Sequence, residues 1–299
     1  MLNRLIVSTM PLMPRWFIKL FSRRYIAGEA VEDAMNLCTR LKAEEFETTL
    51  DILGESISTV EEANASREAY IELIRRVSQQ SFSKNISLKP TALGLNLDFE
   101  LAKENITAVI RFAHENDFFV RIDMEDSPYT SQTLDIYRSL RAEFPRIGTV
   151  IQAYLHRSEA DVTSIAAEGG NLRICKGIYR ESPTIAFQDK EAIRENYLQL
   201  VKTMLSARAY VGIATHDIYL IDTLEAYIRD KGIPAENYEF QALLGVPIEH
   251  RLEALRDAGH TMRIYVPFGE QWYAYSSRRL KENPDVAGYV LKNLFKFGK

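Results

Sequence analysis

The segment YAYSSRRLKEN sets two guanidiniums, Arg278 and Arg279, side by side. In a helix, Tyr275, Arg278, Arg279 and Glu282 fall within about one face, because residues three and four apart are neighbours. Adjacent guanidiniums repel unless an anion lies between them, and their planar, multi-donor heads suit a small carboxylate. An isolated pair of this kind is more often a solvated helix face, so its meaning rests on what the rest of the chain brings to the same place. Arg278 followed by Glu282 is the weaker i,i+4 orientation for an ion pair. That directs the arginines toward a ligand, or toward a carboxylate elsewhere, rather than toward Glu282.

The elements that must position such a clamp show in the hydropathy pattern. From residue 46 onward, short apolar runs alternate with longer amphipathic ones. Strands are predicted at TTLDIL (48–53), ISLK (86–89), FFVRID (118–123), GTVIQAYL (148–155), LRICK (172–176), YVGIAT (210–215), YEFQAL (238–243) and MRIYVP (262–267). The intervening stretches carry helix signals. Ser58 with Glu61 fits a capping box, Ser158 with Asp161 resembles one, and Asp98 precedes a run whose apolar residues recur at helical spacing. Gly232, Gly245 and Gly269 punctuate the later turns. Eight β-then-α units fit a (β/α)8 barrel, typically ~250 residues long. A doubly wound sheet also alternates, but the chain holds no GxGxxG and no GxxxxGK[ST]. Residues 29–43 read as a helix before the barrel. The expected division is an N-terminal helical segment (1–44), a TIM-type α/β barrel (45–284) with the arginine helix as a lid, and a basic amphipathic tail (285–299).

In such a barrel the site lies at the C-terminal strand ends, and here those ends are polar throughout: Glu55, Lys89, Asp123, Gln152, Arg173 with Lys176, Thr215 with His216, Glu239 with Gln241, and Tyr265. Taken singly, Lys89 reads as a rim ion pair, Asp123 as a helix cap, and His216–Asp217 as a hydrogen-bonded loop pair. Together they form a polar cup. Of five histidines, only His216 sits at a strand end, which disfavours a metal hydrolase. A Schiff-base enzyme using Lys89 or Lys176 stays open. In RICKGIYRE, Gly177 permits close backbone approach to a ligand.

The 299 residues are 46% hydrophobic and 26% charged with a net charge of −4, which fits a globular protein with a sizeable core and argues against nucleic acid as the main partner. Cys38 and Cys175 form no CxxC, which suits a reducing compartment. No apolar run reaches the ~18 residues of a membrane span. The first 24 residues are basic and aromatic, with Arg4, Arg15, Lys19, Arg23 and Arg24 and no acid. Pro11 and Pro14 interrupt the apolar stretch, so it fits a signal peptide poorly. A segment lying on an anionic membrane surface and a segment capping the fold are both compatible with it. The tail KNLFKFGK repeats the theme.

LDILGE, ISLKP, RIDMED, RICKGIYRE, ATHD, YEFQALLG and RIYVPFG followed by YAYSSRRLKENP, in this order, resemble the proline dehydrogenases over roughly residues 45–285. The resemblance implies a distorted (β/α)8 barrel and FAD as cofactor. The activity would be oxidation of L-proline to 1-pyrroline-5-carboxylate, the first step of proline catabolism to glutamate, with a quinone as electron acceptor. Hydroxyproline is the alternative substrate. Arg278 and Arg279 would bind the substrate carboxylate with Lys89, and Glu55 would pair with one arginine. Tyr275, Tyr265, Leu243 and Leu88 would surround the ring. Asp123 and Arg173 would be catalytic, with Asp123 beside Lys89 and Arg173 near the flavin's reactive edge. Met124, Gln152, Arg173, Lys176, Gly177, Ile178, Thr215 and His216 would hold the flavin. Ile178 departs from the small residue usual there, and Arg180 is a variant beside the KGxY core that would reach the cofactor's adenine end. With no aldehyde dehydrogenase module or DNA-binding region in the sequence, the short single-function form is expected. It would be cytoplasmic, with peripheral contact to the inner membrane face as a further expectation for a quinone-reducing enzyme.

Overall fold

The computed structural model describes Lys19 and residues 22–54, 57–273 and 275–277. Among the elements whose residues are all described, helix α1 (Val31–Ala43) comes first. Eight strands follow, β1 (Glu47–Ile52), β2 (Asn85–Leu88), β3 (Phe119–Ile122), β4 (Ile147–Gln152), β5 (Asn171–Cys175), β6 (Tyr210–Ala214), β7 (Tyr238–Leu243) and β8 (Met262–Phe268). They close into a barrel in sequence order, every neighbouring pair parallel, with β8 pairing back to β1 from Glu47 and Arg263 through Ile52 and Phe268. Seven helices alternate with the strands: α2 (Val60–Val77), α3 (Phe99–Glu115), α4 (Thr130–Arg141), α5 (Ser158–Ala167), α6 (Lys190–Ser206), α7 (Ile218–Lys231) and α8 (Glu249–Asp257). The TIM-type barrel expected from the alternation is the fold found.

Parallel strands buried on both faces read as near-continuous apolar runs, which is why the strands were legible in the sequence. Most predicted strands extend one to three residues too far: Lys89, Asp123, Lys176 and Thr215 all lie just past their strands. β4 stops at Gln152, and 153–155 turn away. Polar side chains at these ends serve the cup rather than the ladder.

The helix starts follow from capping. Asp98 caps α3, its Oδ1 accepting the Leu101 N–H at 2.8 Å. The expected Ser58–Glu61 box is displaced by one residue. Thr59 Oγ1 accepts from the Glu62 N–H, and the Glu62 carboxylate accepts from the N–H groups of Thr59 and Ser58. Thr59 is the residue in extended conformation, and that conformation aims its hydroxyl at the first turn. The Ser158–Asp161 box is not formed. Ser158 is already helical, and the Asp161 carboxylate takes both ends of the Arg157 guanidinium.

Helix α1 packs across β1 and β8, where it covers the seam that the helices following β1–β7 leave open. It buries Ala34 and Cys38 there. The chain before it is bound to the fold as well. Arg24 donates to the Gly245 carbonyl and pairs with Glu249, each at 2.7 Å, and Lys19 pairs with Glu29. These two cations of the N-terminal basic segment therefore take part in capping contacts. Among the described residues no helix is long and apolar enough to cross a membrane.

Within the barrel, alternate residues share one side of a strand, and several of those sets are polar: Thr49/Asp51, Ser87/Lys89 and Glu239/Gln241, all buried, and, with Asp123, Arg263 and Tyr265 part-buried, Arg121/Asp123 and Arg263/Tyr265. Buried charge is costly unless paired, so these side chains have partners across the lumen.

Candidate active site

A cavity of about 900 Å³ opens at the C-terminal strand ends. On its floor Lys89 Nζ donates to Asp51 Oδ1 at 2.6 Å, with both residues buried. Burial disfavours the charged amine, but Asp51, and after it Tyr265 and Asp123, holds Lys89 well above its ordinary pKa. Burial pushes Asp51 up to about 6, against the pull of Lys89. Beside this pair, Asp123 accepts from Arg173 Nη1 at 2.8 Å through Oδ1 and from the Tyr265 hydroxyl at 2.9 Å through Oδ2. Burial and the neighbouring Asp123 keep the Tyr265 phenol far above its usual pKa, so it acts as a neutral donor. Arg173 also donates from Nε to Gln241 at 2.6 Å and from Nη2 to Ser87 at 3.2 Å, and its guanidinium lies 5.1 Å from the centroid of the Tyr265 ring.

The wall of the cavity is built from the adjoining strand ends. Gln152 donates from Nε2 to the Glu125 carbonyl at 2.7 Å, while its buried Oε1 has no partner among the described residues. His216 Nε2 accepts the Leu243 N–H at 3.1 Å, which puts the proton of the neutral ring on Nδ1. Thr215 Oγ1 accepts the Asp217 N–H at 3.2 Å. Lys176 and Arg194 converge on Asp217: Lys176 Nζ at 3.1 Å, Arg194 by two bonds at 2.8 and 2.9 Å. Burial alone would raise Asp217, but Arg194 and Lys176 hold it at about 2. An acid with a depressed folded pKa adds stability that is complete above its unfolded pKa near 4 and is lost as pH falls toward 2. Asp217→Asn should remove on the order of 1–2 kcal/mol at pH 7 and flatten the acid limb between about pH 4 and 2, as read by chemical denaturation across pH. An unchanged acid limb would contradict this role.

Most of the site residues expected from the sequence meet in this one cavity. Lys89, Asp123, Met124, Gln152, Arg173, Lys176, Gly177, Ile178, Thr215, His216, Leu243, Tyr265 and Tyr275 all line it. Leu88 does not: it is fully buried, and its carbonyl accepts the Asp123 N–H at 2.9 Å. Glu55, Arg278 and Arg279 lie outside the described residues. Gly177 lines the cavity and also answers a packing need that its sequence context did not show. Its φ is +109°, and a Cβ there would fall 2.2 Å from the Tyr154 ring, so the missing side chain makes room for Tyr154. Tyr25, Glu125, Lys190, Arg194 and Asp217, to which the sequence assigned no site role, also line the cavity, as does Gln241 from the polar strand ends. Lys190 and Arg194 had a signal in their i,i+4 spacing at the start of a helix, and Asp217 in its place next to His216.

Fold and site together define a (β/α)8-barrel enzyme with a cationic, aromatic cup at its C-terminal mouth. The family model for proline dehydrogenase matches residues 34–292. Proline dehydrogenase 1 of Bacillus subtilis is 38% identical over 93% of this chain and 92% of its own length. The proline dehydrogenase of Deinococcus radiodurans is 34% identical over 92% of this chain and 90% of its length. Among solved structures, proline utilization A from Bdellovibrio bacteriovorus, inactivated by N-propargylglycine, superimposes with a TM-score of 0.81 at 28% identity. That alignment covers 88% of this chain and 32% of the longer protein. The chain belongs to the proline dehydrogenase family.

Proposed function

We propose that this enzyme oxidises L-proline to 1-pyrroline-5-carboxylate with FAD as cofactor and a quinone as final acceptor. The observation that carries the reading is the convergence of Lys89, Asp123, Arg173, Tyr265 and Tyr275 in one cavity whose opposite wall is polar and cationic.

The residues fit a flavin dinucleotide. The unpartnered Gln152 Oε1 offers an acceptor to a ring N–H. Lys176, Lys190 and Arg194 suit a diphosphate, and the remaining volume suits a small amino acid. Met124, the backbone of 176–178, Thr215 and His216 complete the proposed holding set. When bound, FAD supplies the acceptor for a hydride.

The reaction removes a hydride from the ring carbon beside the amine, which the flavin would accept, and a proton from the nitrogen, which passes to water, and a C=N bond forms between carbon and nitrogen. Lys89 uses one of three donors on Asp51, and its cavity face is available to the substrate carboxylate together with Arg278 and Arg279. Tyr275, Tyr265 and Leu243 pack the ring. Asp123 and Arg173 fix the reacting end, and rigid placement of this kind lowers the barrier without new chemistry. Half-exposed Ile178 and Ile218 on the cavity rim suit the approach of an apolar quinone. Contact of the basic termini with a membrane is part of the same proposal.

The test is a spectrum of purified protein followed by anaerobic L-proline. A flavin band that bleaches with L-proline is expected. Protein that gains no flavin band with added FAD would overturn the cofactor. Bleaching by hydroxyproline but not by proline would overturn the substrate.

A further inference from the structure

Gln241 is buried at the end of β7 and touches the cavity floor. Its Oε1 accepts from Arg173 Nε at 2.6 Å, and its Nε2 donates to Glu239 Oε1 at 2.5 Å. A carboxamide has one accepting end and one donating end. Reversed, it would set NH2 against a guanidinium and oxygen against a carboxylate, so its neighbours admit one orientation.

Glu239, two residues earlier on the same side of β7, is kept ionised by Arg263, whose Nε donates to it at 2.8 Å. Burial pushes the Glu239 carboxyl up, and the arginine beside it outweighs that and holds it below its usual pKa. Arg263 is anchored in turn by Nη1 on the Thr48 carbonyl at 2.8 Å. Donors and acceptors thus alternate from Arg263 through Glu239 and Gln241 to Arg173, across β8, β7 and β5. The intervening strand makes room: a Cβ on Gly212 of β6 would lie 2.5 Å from Gln241 Nε2.

We infer that Gln241, oriented by Glu239 and given room by Gly212, is a positioning residue that fixes the guanidinium plane of Arg173. The inference rests on the assignment of Arg173 to the catalytic floor. Without Gln241, the Nε–H loses its acceptor and the guanidinium keeps only Asp123 and the longer bond to Ser87, so its plane can turn.

The test is a double-mutant cycle on the holoenzyme together with a crystal structure. Gln241→Leu should lower kcat for L-proline roughly tenfold with KM within about twofold. In an Arg173→Lys background, which has no Nε donor, the same substitution should change kcat by less than about twofold. Gln241→Asn keeps polarity but is too short to span both partners, and it should reproduce the loss if the leucine variant does not fold. In the variant crystal, the Arg173 guanidinium plane should be turned from its wild-type orientation about its contact with Asp123. An equal loss in both backgrounds, or an unturned Arg173, would overturn the inference. If the wild-type enzyme leaves L-proline unoxidised, the proposed substrate fails, and the crystal decides the positioning by itself.

Discussion

Lys89→Met should cost about 3–5 kcal/mol of folding stability at pH 8, because it leaves a buried carboxylate without its cation. Asp51 is fully buried, and its second oxygen has no partner among the described residues. The pH dependence follows from the direction of its shift. An acid whose folded pKa is raised binds more protons folded than unfolded, so stability falls as pH rises between the two values. Asp51 already sits at about 6 with Lys89 present, and removing the ammonium raises it further. The deficit in Lys89→Met should therefore be complete well above pH 6 and shrink as pH falls through the raised pKa. Asp51→Asn in the same chain should recover most of it, since two neutral side chains remain. Urea denaturation of the wild type and the two variants at pH 5.5 and 8 checks this. A Lys89→Met deficit below about 1 kcal/mol, or one independent of pH, would mean the pair is not a buried ionic couple.

Arg173→Ala should lower kcat/KM for L-proline about 100- to 1,000-fold, the range for losing a preorganised charge at a reacting centre. The side chain binds Asp123, Gln241 and Ser87 and lies against Tyr265, so its loss also releases the groups that line the proposed substrate end. Ser87→Ala removes only the longest of these bonds, at 3.2 Å, and should stay within about fivefold of wild type. Steady-state dye reduction with L-proline as donor measures both. If Arg173→Ala remained within about fivefold as well, the catalytic floor would have to be sought elsewhere in the cavity.

The sequence carried the fold a long way for a specific reason. Both faces of a barrel strand are buried, so runs such as YEFQAL and YVGIAT stand out from the amphipathic stretches between them, and YEFQAL matches β7 end to end. The cap of α2 was legible to within one residue, since Ser58 and Thr59 are both competent caps and local backbone conformation chose Thr59. The cup itself was visible as polar residues at every strand end.

What the sequence by itself determined is the set of residues on offer: eight β/α units, a lysine just past β2, an aspartate just past β3 and an arginine in β5, and the ordered motifs of the proline dehydrogenases. Only the tertiary structure decided which of them meet. Tyr265 reaches Asp123 across 142 residues of sequence, and Arg173 reaches Gln241 across 68. Period-2 alternation tells which side chains share the lumen. Their partners depend on strand register and on closure of β8 onto β1, which place the ends of distant strands within hydrogen-bonding reach. The same closure gave Gly177 to Tyr154 and Gly212 to Gln241, because a glycine's missing Cβ acquires meaning only from the atom that fills its place.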